Sequence, residues 1–290
     1  MIADIWKTMR PTHWLKNLFV FAPLFFSGSA THPDKVAVVV VVFLCFGLMS
    51  SAVYLLNDIM DRERDLNHPE KCLRAIASGR LSVRFAAMFA AALALTSLSA
   101  AYAVSKPLTG ILAAYGLLNV TYSVWLKHVV IADVFCIAVG FVLRVTAGGL
   151  AINVERTSWL IMATFLLALF LGLGKRRSEL LLLEESSRAH RPILEEYSPK
   201  LVDELISVVT PVTLVTYLLY TLDPETIARF GSKALYYTGF FVVFGIFRYL
   251  YLIHQKNLGG SPTELVVRDL PLAAAIIGWT ISFSLIVYLK

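Results

Sequence analysis

The chain has 290 residues, of which 58% are hydrophobic and 16% are charged, and its net charge is +6. Its mean hydropathy is +0.71. Typical soluble domains carry roughly 25% charged residues, so this composition excludes an ordinary soluble globular protein. Apolar runs of about 20 residues recur along the chain and indicate a polytopic helical membrane protein, because lipid offers backbone polar groups no other partner. A β-barrel is excluded as well, since its strands would alternate in polarity over roughly ten-residue segments.

Hydropathy predicts nine membrane-spanning helices, of which the first is short and contains Pro23. The predicted spans are 17–32, 36–56, 83–104, 107–126, 130–151, 157–174, 203–222, 234–254 and 271–289. The longest polar connections between them are 57–82, 175–202 and 255–270. We therefore expect one all-α integral-membrane domain over residues 1–290, with these three connections as cap loops on one side.

The distribution of basic residues predicts the orientation of this domain. If the nine spans alternate, 19 of the 26 Lys and Arg residues fall on the side of the N-terminus and the three polar connections, and six fall on the other side. The positive-inside rule then places the N-terminus and the connections in the cytoplasm, at the inner (plasma) membrane. The net positive charge is explained by topology, so we expect the bilayer and phosphorylated substrates as partners, and no nucleic acid.

The end of the second span carries one amide and three carboxylates, Asn57, Asp58, Asp61 and Asp65. On a continuing helix, spacings of three and four residues place the three aspartates on one face, where they repel each other and require a cation. Mg²⁺ suits such hard oxygen ligands and commonly binds substrate phosphates as well. The alternative is a solvated helix end whose aspartates pair with Arg62 and Arg64.

A basic loop follows this acidic cluster directly. Lys71, Arg74 and Arg80 supply cations, and Ser78 and Gly79 form a turn before the third span. Carboxylates that hold a metal beside basic side chains predict a diphosphate-binding site.

At this point the sequence resembles the UbiA superfamily of intramembrane prenyltransferases. "NDIMDRERD" and "KCLRAIASG" are similar to the first Asp-rich motif of that family and the loop that follows it. The resemblance implies a bundle of about nine transmembrane helices with a Mg²⁺–diphosphate site under a cytoplasmic cap. Asp58, Asp61 and Asp65 are then the expected metal ligands, and Asp58, Asp61, Lys71 and Arg74 the expected catalytic residues. Alanine follows Arg74 where the family usually has proline, which should loosen that turn without removing a ligand.

The position of the family's second Asp-rich motif differs from the usual pattern. After the sixth span the chain reads "GLGKRRSELLLLEES", with Lys175, Arg176 and Arg177 and no aspartate. A second metal site of the usual kind is therefore doubtful, and Lys175 and Arg176 become candidate phosphate ligands. The alternative is that these three cations only anchor the helix at the membrane surface.

Three further segments, "MRPTHWLKNLFVFAPLFFSG", "YSVWLKHVVIADVFCIAVGFVLRVTAGG" and "SPTELVVRDLPL", resemble one branch of the family. That branch is the polyprenyl-phosphate phosphoribosyltransferases, including the decaprenyl-phosphate enzymes of arabinan precursor synthesis in the cell envelope. The resemblance implies 5-phosphoribosyl 1-diphosphate (PRPP) as the donor and a polyprenyl phosphate lipid as the acceptor.

Arg144 is an unusual charge well inside the fifth predicted span. An unpaired charge there costs roughly 2.5–3.5 kcal/mol on insertion scales, so the residue needs a reason. It could hold a phosphate or form a structural charge pair with another span. Asp133 lies eleven residues earlier, too far along the helix to be its direct partner.

The remaining candidate substrate-binding residues are Asn57, Lys16, Tyr122, Lys127 and Arg268. The alternative for Lys127 is a lysine that snorkels from a helix end, and the alternatives for Arg268 are a pair with Asp269 or a cap over the site. The resemblance therefore implies a pentosyltransferase that transfers 5-phosphoribose from PRPP to a polyprenyl phosphate and releases diphosphate, with these residues as candidate contacts. The alternatives are an aromatic prenyltransferase with a prenyl diphosphate donor and, from a different class, a lipid transporter. The sequence leaves the oligomeric state open.

Overall fold

The computed structural model describes residues 2–154, 157–184 and 196–289. In these ranges it contains helices and no strand. The α-helices are α1 (Ile2–Met9), α2 (Ala22–Phe26), α3 (Pro33–Met60), α4 (Arg62–Leu66), α5 (Val83–Val104), α6 (Lys106–Val124), α7 (Ala132–Ala151), α8 (Ser158–Glu184), α9 (Pro199–Leu222), α10 (Pro224–Phe230), α11 (Gly239–Gln255), α12 (Pro262–Arg268) and α13 (Leu270–Tyr288). The predicted all-α membrane fold class is confirmed.

Seven helical segments in the described ranges are long and apolar enough to cross a membrane. They are Pro33–Met60, Val83–Val104, Ala132–Ala151, Ser158–Leu181, Pro199–Leu222, Ala234–Gln255 and Leu270–Tyr288. The predicted span 107–126 is present as the 19-residue helix α6, which is less apolar than the others and is not among the seven. These seven helices correspond to seven of the nine predicted spans.

Two sequence predictions about helix boundaries are wrong. The predicted span 17–32 is not one helix, because a 3-10 segment (Pro11–Phe21) precedes the short α2 and Gly28 then takes a left-handed conformation with φ 73°. The predicted connection 175–202 does not begin as a loop, because α8 continues to Glu184. Polar residues there extend a helix that packing has already nucleated. The part of that connection from 185 to 195 lies outside the described residues.

The described residues form two compact units. Unit 1 comprises Met1–Lys127 and Val139–Arg156, and unit 2 comprises His128–Ala138 and Thr157–Lys290. In unit 1, α3 packs along α5, α6 and the 3-10 segment. Phe46 and Leu55 of α3 are fully buried, and Leu112 of α6 joins Phe46 in the apolar core.

The N-terminal 3-10 segment of unit 1 lies unusually close to two helices. A Cβ atom on Gly47 of α3 would lie 3.0 Å from the Trp14 ring, and the Trp14 indole N–H donates a hydrogen bond to Ser51 Oγ over 3.1 Å. A Cβ atom on Gly148 of α7 would lie 2.0 Å from the backbone oxygen of Val20. No side chain fits there, so glycine is what allows the 3-10 segment to lie directly on α7.

In unit 2, α8 packs against α9, and α11 packs against α13. Phe170 and Phe283 are among the largest fully buried side chains. One buried polar network of the unit joins three side chains: Trp279 Nε1 donates to the hydroxyl of Tyr217 over 2.6 Å, and that hydroxyl lies 2.7 Å from Thr238 Oγ1. Such a connected network is what a buried hydroxyl requires.

Candidate functional site

The acidic end of α3 is where the sequence analysis predicts a metal and diphosphate site. Asp58 lies in the last turn of α3 and is buried, Asp61 lies at the junction with α4, and Asp65 lies in α4 and is buried. A buried carboxylate is costly unless a partner compensates its charge. The structure provides these partners from distant parts of unit 1.

Two arginines hold Asp58, and one of them also holds Asp65. Arg74 Nη1 lies 3.1 Å from Asp58 Oδ1 and 2.7 Å from Asp65 Oδ2. Arg10 Nη2 donates to the same Asp58 oxygen over 2.5 Å. The predicted grouping of Asp58, Asp65 and Arg74 is therefore present in the structure, and the alternative with Arg62 and Arg64 as partners is not supported, because both are exposed.

Asp61 turns toward a different cation. Lys127 Nζ lies 3.1 Å from Asp61 Oδ1. Both residues belong to unit 1, although 66 positions separate them in the chain. The structure thus brings Lys127 to the acidic cluster, and Lys127 is more than a lysine that snorkels at a helix end.

Arg10 is a site residue that the sequence analysis missed. It precedes Pro11 and adopts a left-handed backbone conformation with φ 52° and ψ 58°. Such a conformation costs a non-glycine residue about 1–2 kcal/mol, and it persists here because the side chain is held from two sides. Besides Asp58, the guanidinium lies 5.0 Å from the centre of the Tyr54 ring. In the sequence, an arginine before proline in a basic N-terminal region contributes to the charge asymmetry and gives no further signal of a site residue.

The other predicted residues of unit 1 take the following positions. Asn57 is half-buried in α3, one residue before Asp58, and Lys71 is half-buried in the 3-10 turn Lys71–Leu73. Tyr122 is half-buried near the end of α6, and Lys16 is exposed in the N-terminal 3-10 segment. Their predicted contacts with substrate stay predictions.

Arg144 is 6% exposed and lies in α7. Its guanidinium donates three hydrogen bonds of 2.8 Å, from Nε to Asn17 Oδ1, from Nη1 to the Gly140 carbonyl and from Nη2 to the Tyr115 hydroxyl. Among the described residues it has no carboxylate within salt-bridge distance. The alternative of a structural charge pair with another span is therefore not observed there. Asn17, its amide partner, was also missed by the sequence analysis.

In unit 2, the cations after the sixth span enter local ion pairs. Arg176 is 4% exposed, and its Nη2 lies 2.5 Å from Asp133 Oδ2. Its Nη1 donates to Glu179. Lys175 Nζ lies 3.8 Å from the other oxygen of Glu179. Phosphate binding by Lys175 and Arg176 stays a prediction, and in this structure Arg176 already has two carboxylate partners.

Asp133 and Asp203 complete this set of ion pairs. Tyr197 donates to Asp133 Oδ1 over 2.8 Å, and burial raises the pKa of the Tyr197 hydroxyl above its ordinary value. Arg177 donates from Nε to Asp203 Oδ1 over 2.7 Å and from Nη1 to the Ile253 carbonyl. These contacts tie α8 to neighbouring segments of unit 2. The alternative in which the cation triplet only anchors the helix at the membrane surface stays a prediction.

The last predicted site residue, Arg268, lies on the surface of unit 2. Its side chain is 78% exposed and lies 3.6 Å from Glu264. Asp269 accepts two hydrogen bonds from Arg248, which lower the pKa of its carboxyl below the ordinary value, and it caps α13 through Leu272 N. The expected alternative of an Arg268–Asp269 pair is wrong, because capping and Arg248 take up the carboxylate.

The chemistry of the acidic cluster fits a divalent cation in part. Within the described residues, no three Asp, Glu, His or Cys side chains are close enough to form a ready ligand set. The carboxylates of Asp58 and Asp65 nevertheless converge on one atom of Arg74, so a positive charge already lies between them. Hard oxygen ligands around a cation are what Mg²⁺ prefers. Asp58 and Asp65 fit such an ion, with Asp61 one helical turn away.

The fold and this cluster define an integral, multi-pass helical membrane protein with an Asp-rich site at the end of one span. The model of the UbiA prenyltransferase family matches residues 17–265. The chain belongs to this family of membrane transferases.

Two curated relatives align with nearly the whole chain. Decaprenyl-phosphate phosphoribosyltransferase of Mycobacterium tuberculosis is 29% identical over 284 residues, which cover 96% of this chain and 92% of the relative. The protein of the same name from Corynebacterium glutamicum is 31% identical over 290 residues, covering 98% and 86%. Among solved structures, a UbiA homolog from Archaeoglobus fulgidus bound to GPP and Mg²⁺ has a TM-score of 0.71 and 17% identity, covering 98% of this chain and 99% of that one. At that identity the similarity supports the fold alone.

Proposed function

We propose that this protein is a polyprenyl-phosphate 5-phosphoribosyltransferase, which transfers 5-phosphoribose from PRPP to a polyprenyl phosphate and releases diphosphate. Relatives that carry a decaprenyl-phosphate phosphoribosyltransferase name over most of both chains support this choice. The structural observation that carries it is the pair of carboxylates, Asp58 and Asp65, joined by Arg74 and completed by Arg10. A metal–diphosphate group requires both signs of charge at one place.

The donor's diphosphate binds at this acidic and basic cluster. Asp58, Asp65 and Asp61 would hold Mg²⁺, which when bound neutralises charge on the leaving diphosphate. Arg10 and Arg74 have further N–H donors, since a guanidinium has five and each uses few of them on the carboxylates. The remaining N–H groups of the two arginines bind the diphosphate oxygens. Lys71, in the same loop as Arg74, and Lys127, beside Asp61, add positive charge.

The reaction replaces one bond at C1 of the ribose. The bond from C1 to the diphosphate oxygen breaks, and its electron pair leaves with the diphosphate. An oxygen of the lipid phosphate forms the new bond to C1 from the opposite face. That oxygen is already anionic near pH 7, so no side chain has to remove a proton. Positioning and electrostatic stabilisation supply the catalysis.

The acceptor reaches the site from the bilayer. Its polyprenyl tail stays in the hydrocarbon while its phosphate meets the polar lining of unit 1, where Asn57, Lys16 and Tyr122 are further proposed contacts. The asymmetry of basic residues supports a cytoplasmic site, with residues 1–290 acting as one transferase domain at the plasma membrane.

A direct assay tests the proposal. Purified protein in detergent or liposomes is incubated with Mg²⁺, PRPP and decaprenyl phosphate, and diphosphate release and a new phosphoribosylated lipid are measured. We expect both products in equal amounts. Diphosphate release only from a prenyl diphosphate with an aromatic acid would establish the second candidate, an aromatic prenyltransferase, which the match to the prenyltransferase family over residues 17–265 favours.

Matched variants connect the activity to the acidic cluster. Asp58→Asn and Asp65→Asn should lower turnover about 100-fold or more, the scale of losing one preorganised charge contact in a transition state. Glu63→Gln removes a neighbouring carboxylate that is exposed and should keep the wild-type rate. Equal rates in Asp58→Asn and Glu63→Gln would contradict the assignment of Asp58.

A further inference from the structure

Unit 1 contains a second buried polar cluster, which shares no residue with the acidic end of α3. It consists of Arg144 on α7, Asn17 on the N-terminal 3-10 segment and Tyr115 on α6, which are all buried. Arg144 donates to the Asn17 side-chain oxygen and to the Tyr115 hydroxyl, each over 2.8 Å. Nothing in the proposed reaction at the acidic cluster requires Asn17 or Tyr115.

This cluster offers hydrogen-bond donors and positive charge but no negative charge. Asn17 Nδ2 is buried and has no hydrogen-bond partner among the described residues, although the residue is 0% exposed. The Tyr115 hydroxyl accepts from Arg144, which leaves its own hydrogen to donate, and the guanidinium has N–H groups beyond the three it uses. Buried donors of this kind are expected to have acceptors.

The Arg144 guanidinium is surrounded by aromatic rings, which do not supply a negative charge. The Arg144 guanidinium carbon lies 4.6 Å from the Tyr115 ring centre, 5.3 Å from that of Phe141 and 5.9 Å from that of Phe46. Aromatic faces stabilise a cation in part, yet they do not neutralise it. An intramembrane charge without a protein counterion is by itself a reason to expect a ligand.

The cluster is also held rigidly. Gly148, one turn after Arg144 on α7, is in direct contact with the Val20 backbone, one turn after Asn17. Trp14, one turn before Asn17, is fixed on α3 by its hydrogen bond to Ser51. Asn17 is thus fixed from both sides, which is the preorganisation expected of a binding site.

The cluster lies beside the diphosphate site and shares no residue with it. Tyr54 of α3 links the two sites: its ring centre is 5.0 Å from the Arg10 guanidinium, and its hydroxyl interacts electrostatically with both Arg10 and Arg144. A phosphate at Arg144 would therefore be close to a diphosphate held at Asp58 and Arg74, as the acceptor phosphate and the second phosphate of the donor must be.

We propose that Arg144, Asn17 and Tyr115 form a second anion site that binds a phosphomonoester dianion. Under the proposed function, on which this assignment of sources rests, two groups have that chemistry: the phosphate of the polyprenyl phosphate and the 5-phosphate of PRPP. Arg144 supplies the charge, and the Asn17 amide and the Tyr115 hydroxyl supply neutral donors that orient the phosphate.

Asn17→Asp is the most informative variant, because it gives Arg144 a carboxylate partner in the same shape. If Arg144 is only structural, this change adds an ion pair and leaves ligand binding unchanged. If the cluster binds phosphate, the new carboxylate repels it, and we expect about a ten-fold or larger loss of affinity with unfolding no earlier than in wild type. Asn257→Asp, the same chemical change at an exposed position of unit 2, is the control.

The binding experiment has two arms that do not depend on turnover. One compares decaprenyl phosphate with neutral decaprenol by thermal stabilisation and direct titration, and the other compares ribose 5-phosphate with ribose. Loss of affinity in Asn17→Asp for decaprenyl phosphate assigns the lipid, and loss for ribose 5-phosphate assigns the donor. Unchanged affinities in both arms, or no preference of wild type for either phosphate over its neutral analogue, overturn the proposal.

Tyr115→Phe keeps the proposal falsifiable if Asn17→Asp does not fold. It removes one donor and should lower the affinity for the same phosphorylated ligand several-fold. Tyr102→Phe, at an exposed position of α5, should leave that affinity unchanged. If the binding arms succeed and no phosphoribosyl transfer is found in the assay above, the proposed function fails while the anion site stands.

Discussion

Two arginines, one in each unit, are almost equally buried and have opposite surroundings. Arg176 of unit 2 is 4% exposed and lies between Asp133 and Glu179, whereas Arg144 of unit 1 is 6% exposed and has amide, carbonyl, hydroxyl and aromatic neighbours. The ion pairs of Arg176 tie together segments of unit 2, and its phosphate binding stays a prediction. Arg144 has no carboxylate partner among the described residues, so the comparison predicts that an anionic ligand matters more for Arg144 than for Arg176.

The largest effect is expected from breaking the charge pair of Arg176. Asp133→Asn leaves the buried guanidinium with Glu179 alone, and we expect a loss of about 3 kcal/mol in the free energy of unfolding, the lower end for a broken buried pair. Urea or thermal unfolding in mild detergent measures it. Asp34→Asn, at an exposed position of α3, should change the stability by less than about 0.5 kcal/mol. Similar stabilities for the two variants would contradict the structural role of Asp133.

Removal of the Arg144 charge should lower the free energy of unfolding less than Asp133→Asn does, but it should lower the affinity for a phosphomonoester. Arg144→Met leaves no carboxylate unpaired in the described part of the chain, so only lost hydrogen bonds destabilise it, by about 1–2 kcal/mol. Binding of a phosphomonoester should fall about ten-fold or more. Unfolding and ligand titration on the same preparation separate the two effects. A loss of stability as large as that of Asp133→Asn, with binding intact, would remove the distinction between the two arginines.

A smaller effect is expected at Tyr197, which supports Asp133 from the second side. Its hydroxyl donates to Asp133 Oδ1 and accepts from the backbone N–H of Ile131 over 2.6 Å. Tyr197→Phe should lower the free energy of unfolding by about 1 kcal/mol. In the background of Asp133→Asn the same change should cost less, because the carboxylate partner is already absent. A double-mutant cycle measures this coupling, and additive losses would argue against it.

The smallest effect concerns the partly exposed pair of Arg248 and Asp269. Asp269→Asn should lower the free energy of unfolding by about 0.5–1 kcal/mol. Because Arg248 lowers the pKa of Asp269, the wild-type advantage is present above the ordinary aspartate pKa of about 3.9 and disappears as the pH falls through the lowered value. Unfolding curves of both proteins between pH 7 and pH 3 measure how the stability difference between wild type and Asp269→Asn depends on pH. A difference that grows on acidification would refute the prediction.

The helices were predictable and the paths between them were less so. Long apolar runs have one solution in lipid, so the boundaries of α5 were predicted without error and those of α7 within two residues. The segment around Pro23 and Gly28 was misjudged, because hydropathy reports burial in lipid and does not distinguish one helix from short turns packed on a neighbour. The end of α8 was misjudged because charged residues there were interpreted as the start of a loop.

The candidate site was predictable where its residues are neighbours in sequence. Asp58, Asp65 and Arg74 lie within one local stretch, and periodicity and charge were enough to group them. Arg10 and Asn17 reach their partners across 48 and 127 positions, and no spacing rule encodes such contacts. The pairing of Asp133 with Arg176 belongs to the same class.

The direct contact between Gly148 and Val20 also bears on the biogenesis of the protein. The N-terminal 3-10 segment is synthesised before α7, on which part of it lies. The contacts of Arg10 and Trp14 with α3 can form before α7 exists, whereas the hydrogen bond between Asn17 and Arg144 cannot. The acidic cluster of unit 1 is therefore expected to assemble before the Arg144 cluster. A nascent chain arrested before α7 should expose the residues around Asn17 and Val20 to protease, and one arrested after α7 should protect them.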